Sequence, residues 1–202
     1  DITEEVEYDM VYIGSGNRAH PLESASVDYL YAIKDRNPTS TVTVSDLVNL
    51  TDGLLMTGTE AEKNAIKANL QSMDGWYIQL ENTGEKALAP ALVFGGVVYY
   101  TTFQPDATAP IDPCEVSASL GTARLYALDY RTGNAAYNFD EIDVNLNKSD
   151  RSLSMGGSIP SGVVIGMIDG IAIGKVGVDG TVPSVMVVSG SGVYPTFWRY
   201  MF

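Results

Sequence analysis

Gly84-Glu-Lys-Ala-Leu-Ala-Pro-Ala-Leu-Val-Phe-Gly-Gly-Val-Val-Tyr-Tyr-Thr-Thr-Phe-Gln-Pro105, followed after a polar interval by Gly121-Thr-Ala-Arg-Leu-Tyr-Ala-Leu-Asp-Tyr-Arg-Thr-Gly133, is the stretch that decides the fold. Val97 to Phe103 is a run of β-branched and aromatic residues with no helix former. Gly95-Gly96 leads into it and Pro105 closes it, so it reads as a strand. Ala123 to Tyr130 places Leu125, Ala127 and Asp129 on one face and Tyr126, Leu128 and Tyr130 on the other, and ends in the turn Arg131-Thr-Gly133. Two apolar strands, each closed by a tight turn, make an antiparallel meander: one blade of a propeller or one face of a sandwich.

The phrase occurs twice. Asp28-Tyr-Leu-Tyr-Ala-Ile-Lys-Asp-Arg-Asn-Pro38 repeats the L-Y-A-[IL] core of Leu125 to Leu128, again before a charged turn. Asp9-Met-Val-Tyr-Ile-Gly-Ser-Gly16 precedes it and matches the character of the strand from Val97. A repeated strand unit marks a radial or stacked β architecture, and the wide separation of the two copies implies an insertion in one of them.

That insertion reads as a helix over about 59–73. Thr59-x-x-Glu62 is a capping box, and Ile66, Leu70 and Met73 form a stripe that Asp74-Gly75 stops. Around it, Thr41 to Val44 reads as a short strand and Ser45 to Gly53 as a polar connector. Gly75 to Leu80 reads as a strand with a structural Trp76, and Glu81 to Glu85 as its hairpin turn. Ala135 to Phe139 reads as an outer strand. Asp169-Gly170 and Val178-Asp-Gly180 punctuate the end of the chain, so 156–202 reads as a four-strand final blade. The expected fold is therefore all-β with one inserted helix, a single domain over 1–202, in antiparallel four-strand blades.

The 202 residues carry 25 acidic and 12 basic side chains, a net charge of -13, which excludes the basic footprint of a nucleic-acid binder. No stretch approaches the roughly 20 apolar residues of a membrane helix, since Asp169-Gly170 cuts the most apolar run, Val163 to Ile173. The acidic lead-in at Asp1 reads as a processed or truncated end. Cys114 is the only cysteine, so it is either a free thiol or half of a disulfide whose partner lies elsewhere.

Chemistry-bearing motifs are sparse. His20, the only histidine, rules out a multi-histidine metal centre and reads as a solvated loop residue. Gly14-Ser-Gly16 and Gly190-Ser-Gly192 read as turns rather than phosphate loops or nucleophile sites. Asp143, Asn145 and Asn147 alternate like the first half of a calcium loop, with Asp150 following. Lys148 then stands where that loop needs glycine and Ser154 where it needs glutamate, so the competing reading is a solvated Asn/Asp-rich loop. Asp140, Glu141 and Asp143 form the acidic cluster to test.

Eight phrases in order carry a resemblance: Gly14-Ser-Gly-Asn-Arg18 with Pro21, Gly75-Trp-Tyr-Ile-x-Leu80, Gly84-Glu-Lys86, Phe94-Gly-Gly96 with Tyr99-Tyr-Thr-Thr-Phe-x-Pro105, Leu125-Tyr-Ala-Leu-Asp129 with Thr132-Gly133, Ser149-Asp-Arg151, Ser158-Ile-Pro-Ser161 and Phe197-Trp-Arg199. Over nearly the whole chain they resemble the C-terminal β-propeller of type IV pilus-associated adhesin and assembly proteins of the PilY/PilC type. The resemblance implies a partial quinoprotein-like propeller without catalysis, extracellular at the pilus tip or outer cell surface. It also implies contacts with minor pilins or the pilus fibre, a role in pilus extension, twitching and attachment, and a regulatory calcium loop. The chain departs from that pattern in two respects. It holds two to three blades where propellers have roughly four to eight, so the missing blades belong to another polypeptide or another part of a precursor. The family's calcium loop also lies upstream of these motifs, and Asp143 to Asp150 does not reproduce it. The competing functional readings are a quinoprotein-like dehydrogenase and a subunit that polymerises through open sheet edges.

Overall fold

The computed structural model describes residues 8–36, 41–106, 120–139, 144–168 and 171–185. Their regular structure is mostly strand, gathered in three open sheets. The first joins β1 (Asp9–Gly14), β2 (Tyr29–Asp35), β3 (Val48–Asn49) and β4 (Gly75–Gln79) in the order β1-β2-β4-β3. The second is built on β7 (Val97–Pro105) and β8 (Gly121–Asp129), with β5 (Lys86–Ala87) and β6 (Leu92–Phe94) pairing β7 and β9 (Ser152–Gly156) pairing β8. The third is a meander of β10 (Val164–Ile168), β11 (Ile171–Lys175) and β12 (Ser184–Val185). The chain thus meets the all-β expectation as stacked open sheets.

The middle sheet is buried on both faces, and its alternation does the sorting. Val98, Tyr100, Tyr126 and Leu128 pack with Leu30, Ala32, Trp76 and Ile78 of the first sheet. Val97, Tyr99, Leu125 and Ala127 pack the opposite way, with Val163 and Val176 at the foot of the third sheet. Tyrosine hydroxyls stitch the first seam: Tyr100 donates to the Tyr31 carbonyl at 2.8 Å and Tyr12 to the Tyr130 carbonyl at 2.9 Å. Each ring buries apolar area while its polar tip finds a main-chain acceptor.

The sequence repeat is a repeat of register. Val11, Tyr12, Ile13 and Gly14 lie opposite Ile33, Ala32, Tyr31 and Leu30. Val98, Tyr99, Tyr100 and Thr101 lie opposite Leu128, Ala127, Tyr126 and Leu125, which is the same pairing position by position. In both copies the Leu/Ala face of the L-Y-A-[IL] strand turns toward the following sheet. At the start of the second copy, Gly95 and Gly96 take φ of 60° and 82° in a two-residue hairpin between Phe94 and Val97, a turn that demands left-handed backbone at both positions.

The insertion between β2 and β4 differs from the expectation. Two helices form, α1 (Leu54–Thr57) and α2 (Glu60–Ser72), where the sequence indicated one. The Thr59 capping box is present, with Thr59 Oγ1 accepting from the Glu62 amide, and Ile66, Leu70 and Met73 pack on the first core. Thr41 to Val44 is not a strand: Thr43 instead caps a 3-10 turn over Val44–Asp46. The strand comes later, at Val48–Asn49, and pairs with β4 in parallel, so the first sheet is not wholly antiparallel.

Three further expectations are corrected. Glu81 to Glu85 is a turn but not a hairpin, because β4 pairs β2 and the chain then crosses to the second sheet. Ala135 to Phe139 makes only an isolated bridge, Ala135 to Leu128; the outer place beside β8 belongs to Ser152–Gly156. For the final blade, the Asp179-Gly180 turn joins Val178 to Thr181 as read, whereas Asp169-Gly170 and 186–202 lie outside the described residues.

Burial, with a smaller contribution from Tyr12, holds the Tyr100 hydroxyl well above the usual phenol range, and burial with Glu85 does the same for Tyr126. A raised folded-state value stabilises the fold fully below about pH 10, and that stability is lost as the pH climbs toward the folded value. Urea unfolding at several alkaline pH values is expected to show Tyr100→Phe with a shallower loss of stability above pH 10, by up to about 1.4 kcal/mol per pH unit. Parallel slopes for Tyr100→Phe and wild type contradict it.

Candidate functional site

Among the described residues a concavity lies where α2 crosses the seam between the first two sheets. β1, the end of β2, α2, the start of β4 and the turn after β8 enclose a cleft of about 720 Å³ open to solvent. Four of the chain's 12 basic side chains, Lys34, Arg36, Lys67 and Arg131, line it, and among the described residues no Asp or Glu does.

Each cation is placed by the fold. Lys34 is buried, and its Nζ donates to the carbonyls of Leu70 at 2.5 Å and Met73 at 2.9 Å, at the C-terminal end of α2. That helix has no basic residue in its own last turn, so the β2 ammonium supplies the positive charge its dipole favours there. Desolvation, and secondarily Arg36, lowers the Lys34 pKa, while Asp74 opposes them. Arg36 Nη1 meets Asp74 Oδ1 at 3.1 Å, and Lys34 and Arg36 each stand 5.5 Å from the Tyr8 ring centre. Arg131 lies 5.0 Å from the Tyr130 ring, in a turn organised by Asp129, whose Oδ1 accepts from the Arg131 and Thr132 amides. Two donors in the cleft-lining residues, Arg36 Nε and Trp76 Nε1, are buried with no acceptor among the described residues.

Trp76 is buried in the first core, as its structural reading expects, and also contributes to the cleft wall. The calcium-loop residues lie elsewhere. Asn147 caps a 3-10 turn, its Oδ1 accepting from the Ser149 amide at 2.8 Å. Asp150 is fully buried, and its Oδ2 accepts from the Asn147 amide at 2.9 Å. Asn145 is exposed, whereas Asp143, Asp140, Glu141 and Cys114 lie outside the described residues. Among the described residues no group of three His, Cys, Asp or Glu side chains is placed to hold a metal. Next to Asp150, Arg151 donates to the carbonyls of Leu50 at 2.8 Å and Thr51 at 2.9 Å, and desolvation brings its pKa down to about 10.

Gly14-Ser-Gly16 serves packing. A Cβ on Gly14 would stand 2.3 Å from Ala87 Cβ, and one on Gly16 2.5 Å from the Ala87 carbonyl, so the loop lies directly against β5. Ser15 Oγ donates to Asp28 and accepts from the Tyr29 amide. His20 is exposed in the following loop, as expected. No helix among the described residues is long and apolar enough to cross a membrane.

The cleft cations had a signal in the sequence. Extending the repeat by three residues gives L-Y-A-[IL]-x-x-R in both copies, ending at Arg36 and Arg131. Comparison with known protein families, curated proteins and solved structures finds no match for this chain.

Lys34→Met removes two charge-assisted bonds to carbonyls that then have no donor, at an expected cost of about 2–3 kcal/mol in urea unfolding. Hydrogen exchange is expected to quicken in the last turn of α2 and to stay unchanged in β8. Equal stability of variant and wild type would show that the ammonium does not hold the helix end.

Proposed function

We propose that this chain is a section of a β-propeller from a type IV pilus-associated protein of the PilY/PilC type. It works without catalysis at the pilus tip or outer cell surface, through contacts with minor pilins or the pilus fibre. The observation that carries the reading is the directional repeat: two strand pairs of identical register, each presenting its Leu/Ala face to the next sheet. Successive units related in this way support a radial architecture. They also support a place for it to continue. The Tyr126/Leu128 face of β8 is covered by the first sheet, and its counterpart on β2 carries Tyr31 and Ile33. There Tyr29, Tyr31 and Tyr77 cluster with ring centres 5.8 to 6.4 Å apart beside exposed Val11 and Ile13. A further sheet of the same kind, from another polypeptide or another part of a precursor, fits this face. Calcium enters the reading through the oxygens of Asp143, Asn145, Asn147 and Asp150.

Removing the chain from its source cell is expected to abolish surface pili and twitching; normal piliation and attachment would overturn the assignment. Native mass spectrometry of the assembly is expected to show additional polypeptide mass that Ile13→Lys with Tyr31→Lys releases, leaving the remaining fold intact by circular dichroism. A wild-type chain that is stable and alone in its source cell would refute the continuing stack. Calcium at millimolar concentration is expected to raise the thermal midpoint of wild type and not of Asp143→Ala; no shift in wild type removes calcium from the reading.

A further inference from the structure

From the cleft under α2 we infer a recognition site for an acidic peptide segment, one that alternates carboxylates with apolar side chains. The inference stands on the cleft alone and is independent of the pilus assignment.

Among the described residues the cleft lining is rich in cations and holds no carboxylate, the nearest being Asp74, which pairs Arg36. Arg131 contributes an exposed guanidinium and Lys67 an exposed ammonium, and Arg36 stands beside them with its guanidinium 3.1 Å from Asp74. Among the described residues, neither Lys67 nor Arg131 has an ion-pair partner. Carboxylate oxygens accept and cannot donate, which matches this set.

Between the cations lie apolar walls: the rings of Tyr8, Tyr12 and Tyr130 with Met10 and Leu70. The charges come from β2, α2 and the turn after β8, spread along an open cleft rather than focused on one point. A single small anion would leave most of them unused, whereas an extended segment with a carboxylate at every second residue addresses several at once. Specificity comes from the surroundings. On a chain with a net charge of -13, an acidic partner is repelled over most of the surface and accepted only where basic side chains collect.

The test is fluorescence anisotropy of the purified protein with a labelled hexapeptide of alternating Glu and Leu. An equivalent Lys/Leu hexapeptide serves as the charge-reversed control. Lys67→Glu combined with Arg131→Glu changes two exposed side chains, and thermal melting checks that this variant stays folded. The acidic peptide is expected to bind, to weaken with added salt, and to lose at least about tenfold affinity in the variant. The Lys/Leu peptide is expected not to bind. Absence of acidic-peptide binding, equal affinity in the variant, or equal binding of the Lys/Leu peptide would overturn the proposal. Tighter binding of a sulfated oligosaccharide would also overturn it, by assigning the cleft to a polysaccharide. Should the double variant fail to fold, Lys67→Ala alone carries the same comparison, with a smaller expected loss.

Discussion

The pairing of β7 with β8 is the constraint on which the rest of the structure depends. The two strands run side by side from Val97 opposite Asp129 to Pro105 opposite Gly121, and strict alternation sends successive side chains to opposite faces. A slip of one residue would exchange Val98, Tyr100, Tyr126 and Leu128 with Val97, Tyr99, Leu125 and Ala127, sending each set to the wrong neighbour. Since a fully buried apolar side chain contributes about 1.5–3 kcal/mol, register here is fixed by the two cores together. The first and third sheets then find their places against a surface that is already defined.

The cleft is a by-product of the insertion. A helix between β2 and β4 must end somewhere over the sheet, and its last carbonyls need donors. Lys34 reaches them from the strand that precedes the helix, which ties the end of α2 to the end of β2 and leaves Arg36 beside it. On the far side of the seam, the turn after β8 brings Arg131 to the same mouth. Charge therefore collects there through fold geometry: two repeat-equivalent arginines, one helix-capping lysine and one helix-surface lysine.

The parts of the fold legible in the sequence were those with strong local chemistry. β7 and β8 announce themselves by β-branched and aromatic runs, α2 by a capping box, and the face assignments by alternation. The elements that were missed are held mainly by tertiary contacts. Val48–Asn49 is too short to show a period, and it forms only because β4 offers a free edge. Ser152–Gly156 reads as a polar, glycine-ended stretch, yet it takes the place beside β8 that the composition of Ala135 to Phe139 claims. α1 has four residues and no side-chain cap. The cleft was only half written: its arginines belong to the repeat, but Lys67, Trp76 and Tyr8 converge through packing that no spacing encodes. Asn147 and Asp150, read as possible ligands, form the capping box of one 3-10 turn, because short polar side chains bond nearby backbone amides readily.

The tyrosine stitches across the first seam end on carbonyl oxygens of Tyr31 and Tyr130 rather than on side chains. A peptide carbonyl is present whichever amino acid occupies the receiving position. These bonds therefore make no demand on the side chain at the accepting position, whereas at Tyr12 and Tyr100 they require the hydroxyl itself.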